Sequence, residues 1–181
     1  MEINIGVPKF NSLAGTLAEI YGKDIRLGQS FRIPGGDINK AYGMQLSNRK
    51  ILFMKTNEKQ KVDLFLSEAI NLWAISLTNT INTPKLLAYG TDDSEEIGYS
   101  FLLMEYIELG DRKDEFWNVF AEKLACMHKA DTSSLVKNGK FGFLQDNFIG
   151  RTKQINLAKD SWVEFFRDNR LVPQFKMAEK Y

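Results

Sequence analysis

Lys55 is the first residue whose position suggests chemistry, because it ends the apolar run Ile51-Leu52-Phe53-Met54-Lys55. Alternation along a strand places its side chain on the same face as Ile51 and Phe53. A lysine among apolar neighbours either forms an ion pair with a partner or lies at the end of its strand. In the second case its aliphatic part packs on the apolar residues and its ammonium group reaches water. This run alone leaves both interpretations open.

Glu68 is a candidate partner for that lysine. It lies four residues from Leu64 and Leu72 and three from Phe65, so it faces the apolar side of a helix predicted from Glu58 to Leu77. Most helix carboxylates are merely solvated. However, a lysine on an apolar strand face followed by such a carboxylate is the arrangement that orients a kinase lysine toward the α and β phosphates.

Two glycines, Gly35 and Gly36, form a turn one strand pair before Lys55. Without side chains they let backbone N–H groups approach an anion, and they can adopt positive φ. Any tight hairpin also favours glycine, so the turn by itself is equally consistent with a flexible tip. Because it joins two strands and opens no helix, it is neither a Walker motif nor a dinucleotide-binding motif.

The segment FLLMEYIELG, from Phe101 to Gly110, runs from an apolar strand into a polar connector. A nucleotide kinase has its interlobe hinge at such a point, where adenine bonds main-chain groups. In isolation, a run of this kind is more often a core strand that leaves a sheet.

The only histidine, His128, precedes Asp131 in the sequence HKAD. A kinase catalytic loop has its aspartate two positions after the histidine, so this spacing favours a packed, hydrogen-bonded histidine on the apolar face of a helix. The only cysteine, Cys126, lies in the same helical pattern and is expected to be buried. One cysteine and one histidine exclude an intrachain disulfide and a zinc cluster, and we predict no metal site.

The composition excludes several classes of partner. The 181 residues are 44% apolar and 26% charged, with 24 basic and 23 acidic side chains and a net charge of +1. The protein therefore has no broad positive electrostatic field that would favour binding to nucleic acid or to an anionic membrane. The N-terminus MEINIGVPKF lacks a signal-peptide pattern, and polar residues interrupt the most apolar stretch. We expect a cytoplasmic protein.

The elements that must position these residues follow the order strand, strand, strand, helix, strand, strand. A capped helix, beginning after Asn11 or Ser12 and ending near Gly22, precedes them. The predicted strands are Ile25–Ile33, Ile38–Leu46, Ile51–Lys55, a strand from Pro84 to Tyr89, and Tyr99–Ile107. A polar loop is predicted from Gly90 to Gly98.

Beyond Gly110 the pattern becomes helical, with one apolar face on a helix from Phe116 to about Ala130. No periodicity appears from Phe141 to Gln154. Ser161 and Glu164 form a capping box for a helix that we expect to break at Leu171-Val172-Pro173. A last helix is predicted from Gln174 to Tyr181.

With these pieces in order, the chain resembles the fructosamine kinase family, also called ketosamine-3-kinases, a branch of the protein-kinase-like fold. Its relatives include aminoglycoside and choline kinases. The likeness runs through GGDINKAYGMQL, FMKTN, FLSEAINLWAI, TPKLLAYG, FLLMEYI and LACMHK, and it is most specific in FGFLQDNFIGRTKQIN and WVEFFRDNRLVPQ. It implies an α+β fold. Residues 1–107 would form a kinase-like N-lobe, an antiparallel five-stranded sheet plus helix C, and residues 108–181 the hinge and an incomplete helical C-lobe.

The resemblance also implies an ATP site. Its nucleotide-loop positions would be Gly35, Gly36, Asp37 and Asn39, its ion pair Lys55 and Glu68, and its adenine hinge Met104, Glu105, Tyr106 and Ile107. ATP is the implied phosphate donor, with magnesium in the complete enzyme. The implied acceptor is a sugar hydroxyl of a fructosamine or ribulosamine, carried by a small molecule or a protein. Asp37 departs from relatives that have cysteine or serine, and its carboxylate must turn away from phosphates.

In this family the catalytic base and the magnesium ligands lie C-terminal to the RLVPQ helix, and the sequence ends at Tyr181 before them. We therefore expect no catalytic residue in this chain and no phosphoryl transfer by it alone. Two other functions stay open: a noncatalytic nucleotide-binding or interaction module, and another small-molecule kinase of the aminoglycoside or choline type. The sequence predicts neither the oligomeric state nor the amine that carries the sugar.

Overall fold

The computed structural model describes residues 4–94, 97–136 and 140–179. At its centre is a six-stranded sheet with the strand order β1-β5-β6-β4-β3-β2. The strands are Lys9–Phe10 (β1), Leu27–Ile33 (β2), Lys40–Leu46 (β3), Ile51–Glu58 (β4), Leu86–Asp92 (β5) and Tyr99–Glu105 (β6). Every pairing among β2 to β6 is antiparallel, in agreement with the predicted mixed α+β fold.

The prediction of five antiparallel strands is wrong by one strand. β1 adds to the sheet edge parallel to β5, with Phe10 opposite Gly90. A Cβ atom on Gly90 would overlap the Phe10 carbonyl, so glycine permits this close approach. β5 accordingly extends to Asp92, where we predicted a loop from Gly90 onward. A strand of two residues is too short to leave a periodic signal.

Two helices pack on opposite faces of the sheet: Leu13–Tyr21 (α1) and Val62–Leu77 (α2). The Ser12 hydroxyl accepts a hydrogen bond from the Gly15 amide at 3.2 Å, so the predicted cap is confirmed. The apolar cluster under α1 comprises Leu13, Leu17, Met44, Leu46, Leu52, Met54, Ala88, Phe101 and Leu103. The cluster under α2 comprises Ile5, Phe65, Ala69, Ile70, Tyr89, Leu102 and Met104. Strand alternation thus directs Lys55 toward α2.

Asp92, at the end of β5, joins the sheet to the start of α1. Its side chain accepts hydrogen bonds from the Leu13 amide at 2.8 Å, from the Ser94 amide at 2.9 Å and from the Ser94 hydroxyl. Burial raises the pKa of this carboxyl group, but the bonds from Ser94, Leu13 and Tyr99 outweigh burial and hold the pKa below its ordinary value. The native structure therefore stabilises the ionised form of the Asp92 carboxyl group.

Replacing Asp92 by Asn is expected to destabilise the protein by about 1.5 to 3 kcal/mol at pH 7, since the bonds lost are to a charged group. A folded pKa below the unfolded value of about 3.9 means that this stabilisation is present above that value and is lost as pH falls through the folded pKa. Urea unfolding at pH 7 and pH 3 measures both effects. Asp93→Asn is the control, because the ion pair of Asp93 within the described residues, with Lys59 at 3.1 Å, is exposed. An equal loss at both pH values would contradict this role of Asp92.

After β6 the described residues form three α-helices, a π-helical segment and a small hairpin. The helices are Phe116–Lys129 (α3), Trp162–Phe166 (α4) and Val172–Ala178 (α5), and the hairpin strands are Asn147–Ile149 (β7) and Thr152–Gln154 (β8). The hairpin lies in the segment from Phe141 to Gln154, where we predicted no regular element. Its three-residue strands are too short for a period-two pattern, and Gly150 turns between them with φ +63°.

The Ser161 half of the predicted capping box at the start of α4 is confirmed, since the Ser161 hydroxyl accepts from the Glu164 amide at 3.5 Å. The break predicted at Leu171-Val172-Pro173 is wrong, whereas the last helix predicted from Gln174 is present as α5, which begins two residues earlier at Val172. Its predicted end at Tyr181 lies outside the described residues. The backbone continues through a π-helical segment, Arg167–Leu171, into α5. Pro173 has no N–H to donate to the Asn169 carbonyl, and the Arg170 guanidinium donates to that oxygen instead, at 2.9 Å. A side chain thus replaces the lost helical bond.

The predicted burial of Cys126 and His128 is also wrong, because both are exposed. No residue of α3 is buried by the rest of the described chain, and Trp117 on its apolar face is 60% exposed. Helical periodicity identifies which residues share a face but does not say whether another element covers that face. None of the described helices is long and apolar enough to cross a bilayer.

Candidate functional site

Lys55 and Glu68 meet between the sheet and α2. Lys55 lies on β4 opposite Ala41 of β3 and Leu102 of β6, and its Nζ atom is 2.5 Å from Glu68 Oε1. Phe65, which is fully buried one turn before Glu68, fixes α2 against the sheet. The two charged side chains stay 29% and 28% exposed, so the ammonium group is held in place and still reachable from solvent.

The glycine turn connects β2 to β3 at the strand end next to Lys55, which lies opposite Ala41 near the start of β3. Gly35 and Gly36 have φ values of +107° and +84°, in a region that L residues rarely adopt. A Cβ atom on Gly35 would meet nothing within 4 Å, so the backbone there borders open space. This geometry leaves room for an anion beside the turn.

Asn39 and Asp37 have different surroundings in this turn. The Asn39 side-chain oxygen accepts from Asn57 Nδ2 at 2.7 Å, and the same Asn57 nitrogen donates to the Ile38 carbonyl at 3.2 Å. Asn39 therefore anchors the end of the turn to β4. Asp37 is exposed, and its carbonyl oxygen accepts from Arg151 Nη2 at 3.4 Å. No local sequence pattern predicts that Asn57 or Arg151 contacts this turn.

The four predicted hinge residues mark the point where the chain leaves the sheet. Met104 is buried in the cluster under α2, whereas Ile107 is 56% exposed. The Glu105 carboxylate accepts from the Lys85 amide at 2.8 Å, and the Glu105 amide donates to the Lys85 carbonyl at 2.9 Å. Tyr106 follows and is half-buried. The end of β6 is therefore fixed by β5.

An aromatic contact at this hinge was missed from the sequence. Phe31 and Tyr106 form an edge-to-face pair with ring centroids 6.1 Å apart. The Phe31 ring covers Gly43 on β3, where a Cβ atom would overlap it. A glycine inside a strand marks such a close approach, so Gly43 was the available signal. The pair lies on the sheet face that carries Lys55.

Among the cavities on the described residues, two reach the end of the glycine turn, because Ile38 lines both. One, of about 700 Å³, lies on the opposite face of the sheet beside α1 and is lined by residues such as Met44 and Met54. It does not include Lys55 or Glu68, but Ile38 and Asn57 at the end of the glycine turn line it. The other, of about 340 Å³, lies between the end of the glycine turn, the start of α2 and the β7–β8 hairpin.

Metal-binding side chains are not clustered in the part of the chain that the structure describes. In residues 4–94, 97–136 and 140–179, no three or more His, Cys, Asp or Glu side chains are grouped so as to hold a metal ion. The arrangement at Lys55 offers a cation and backbone donors to an anionic ligand.

Several known proteins are similar to this chain. The family model described as fructosamine kinase matches residues 9–181. The chain is 31% identical over 180 residues to a probable ketoamine kinase of Synechocystis, covering 99% of this chain and 57% of that protein. It is 36% identical over 157 residues to the chloroplastic protein-ribulosamine 3-kinase of Oryza sativa subsp. japonica, covering 86% and 43%.

One solved structure is also similar to this chain. A candidate fructosamine-3-kinase from Haemophilus somnus superimposes with a TM-score of 0.81 at 28% identity, covering 93% of this chain and 54% of that one. The chain thus spans about half the length of the curated relatives and the solved structure that it matches.

Proposed function

The chain belongs to the fructosamine kinase family, and on that premise we propose that it forms the ATP-binding part of a kinase that phosphorylates a sugar hydroxyl of ketosamine adducts. The observation that carries this proposal is the 2.5 Å contact between Lys55 Nζ and Glu68 Oε1. It lies on the sheet face toward which α2 packs, near a turn with two positive-φ glycines. An ion pair in this setting is what a triphosphate site requires.

Each group has a distinct task in this proposal. Glu68 holds the Lys55 ammonium group, which donates to the α and β phosphate oxygens. The backbone N–H groups of Gly35 and Gly36 approach the phosphates from the turn. The main chain from Met104 to Ile107 bonds the adenine. ATP supplies the phosphoryl group when it is bound, and Asp37 stays turned toward solvent.

The acceptor follows from the relatives, which are called ketoamine kinase and protein-ribulosamine 3-kinase. We propose a fructosamine or ribulosamine on a small molecule or a protein. The catalytic base and the magnesium ligands are assigned to the part of the relatives' length that this chain does not span. Residues 1–107 form the nucleotide-binding lobe in this proposal, and residues 108–181 form the hinge and part of a second lobe.

A second candidate function is a noncatalytic module that binds a nucleotide or another protein. The exposed aromatic face of α3 favours it, since Phe116, Trp117 and Phe120 are 39%, 60% and 40% exposed. Apolar surface of this kind is typical of an interaction site. An apolar interface to a separate second half would satisfy the same observation.

Titration calorimetry with ATP, ADP and adenosine, with and without magnesium, tests the main proposal. We expect this chain to bind ATP more tightly than adenosine, because Lys55 and the glycine turn contact only phosphates. Absence of ATP binding under both conditions would contradict the nucleotide site and favour a purely interacting module. Transfer of phosphate from ATP to a fructosamine by the 181-residue chain would contradict the assignment of the base to sequence outside it.

A further inference from the structure

The β7–β8 hairpin connects α2 to the glycine turn. At its start, Asn147 Nδ2 donates to Asn71 Oδ1 of α2 at 3.3 Å. Phe148 lines the 340 Å³ cavity together with Leu64, which is also on α2. One end of the hairpin therefore rests on the helix that carries Glu68.

The tip of the same hairpin lies against the glycine turn. A Cβ atom built on Gly150 would lie 3.7 Å from Ile38 Cδ1, so the hairpin backbone borders that side chain. Arg151, the next residue, donates from Nη2 to the Asp37 carbonyl oxygen at 3.4 Å. The contact joins residues 114 positions apart in sequence. The turn is thus held by Asn57 from the sheet and by Arg151 from the hairpin.

We propose that Arg151 is a positioning residue that holds the glycine turn in one conformation before a nucleotide binds. The inference concerns the turn itself, and its consequence for ATP rests on the proposed function. Two adjacent glycines lose more conformational entropy on ordering than any other pair of residues, so an external contact is needed to fix their N–H directions. Fixing them in advance removes that cost from the binding step.

The chemistry of the guanidinium suits this role. Its five N–H donors form a rigid fork, so one donation to the Asp37 carbonyl leaves others beside the turn. The distance of 3.4 Å and the exposure of Arg151 indicate a modest contribution. The contacts at Asn147 and Gly150 matter because they place the hairpin independently of that one bond.

Hydrogen exchange measured by mass spectrometry tests the proposal without nucleotide. In Arg151→Ala we expect the ladder amides that flank the turn, in β2 near Ile33 and in β3 near Ala41, to exchange about 2- to 10-fold faster, because a loosened turn frays the paired strand ends. This is the range for loss of one hydrogen bond of about 0.5 to 1.5 kcal/mol. Lys153→Ala is the matched control, because it removes the same charge from the same hairpin. Lys153 is 68% exposed, and its ion pair in the part of the chain that the structure describes is with Asp146, at 3.4 Å. Unchanged exchange in Arg151→Ala, or equal acceleration in the control, would overturn the proposal.

Calorimetry then separates positioning from general damage to the fold. Arg151→Ala should weaken ATP and ADP binding about 2- to 10-fold and leave adenosine binding unchanged, since adenosine has no phosphate at the turn. Arg151→Lys should recover part of the loss. Equal weakening for all three ligands would overturn the positioning role. Failure of the unaltered chain to bind ATP would contradict the proposed function alone, because the exchange measurement still decides the role of Arg151.

Discussion

Replacing Lys55 by Met is expected to weaken ATP binding by this chain about 10- to 100-fold while the protein stays folded. The ammonium group is the side-chain cation that Glu68 holds at the sheet, with Nζ and Oε1 2.5 Å apart. A hydrogen bond to a charged group contributes about 1.5 to 3 kcal/mol, which corresponds to this range of affinities. Methionine keeps the length and packing of the stem. Calorimetry with ATP and adenosine measures the loss, which should be confined to ATP.

Three further variants make the Lys55 experiment specific. Lys59→Met removes a lysine from the exposed pair with Asp93, so it should bind ATP as the unaltered chain does. Glu68→Gln should weaken ATP binding less than Lys55→Met, because the lysine remains. In the Lys55→Met background, Glu68→Gln should have little further effect, since Glu68 acts through Lys55. Additive losses, or normal ATP affinity in Lys55→Met, would contradict the proposed site.

In a complete enzyme that contains this segment, the same Lys55→Met substitution should reduce the rate of phosphoryl transfer about 10²- to 10³-fold. That is the usual effect of removing one electrostatic donor from a transition state. A smaller loss in rate than in ATP affinity would mean that the lysine contributes only to ground-state binding.

Long elements were predictable from the sequence because their periodicity is repeated many times. α2, with 16 residues, and the strands from β2 to β6 each present several residues to one face. The meeting of Lys55 and Glu68 follows from two such patterns on neighbouring elements. β1, with two residues, and the β7–β8 hairpin, with three in each strand, are too short to produce a pattern. Tertiary contacts place them.

The parts of the candidate site that sequence analysis missed depend on contacts between distant residues. Arg151 reaches the Asp37 carbonyl from the hairpin, and no local pattern links these two positions. The Phe31–Tyr106 pair depends on the register of β2 against β3 and on the end of β6. Burial was similarly unpredictable for Cys126, because exposure depends on whether another element covers α3. The local sequence determines which residues share one face of a helix or strand. Only the assembled fold determines which other element packs against that face.

Truncating Phe65 to Ala is expected to reduce the free energy of unfolding by about 3 to 5 kcal/mol, the usual cost of removing a buried phenyl ring. Phe65 is fully buried in the cluster under α2, where it packs near Leu102 and Met104. Urea denaturation at pH 7 measures the change. Phe175→Ala is the matched control, since Phe175 is 64% exposed on α5, and it should alter stability by less than about 0.5 kcal/mol. A similar loss in both variants would contradict the placement of Phe65.

The same Phe65 variant also tests how the site is built. Glu68 lies one helical turn after Phe65, so a cavity at Phe65 loosens the helix that holds the carboxylate against Lys55. Under conditions where Phe65→Ala remains folded, ATP affinity should fall more than adenosine affinity. Phe65→Leu keeps most of the buried volume, so its loss in both stability and ATP affinity should be smaller. A large loss of stability with unchanged ATP affinity would mean that the docking of α2 on the sheet does not set the Lys55–Glu68 geometry.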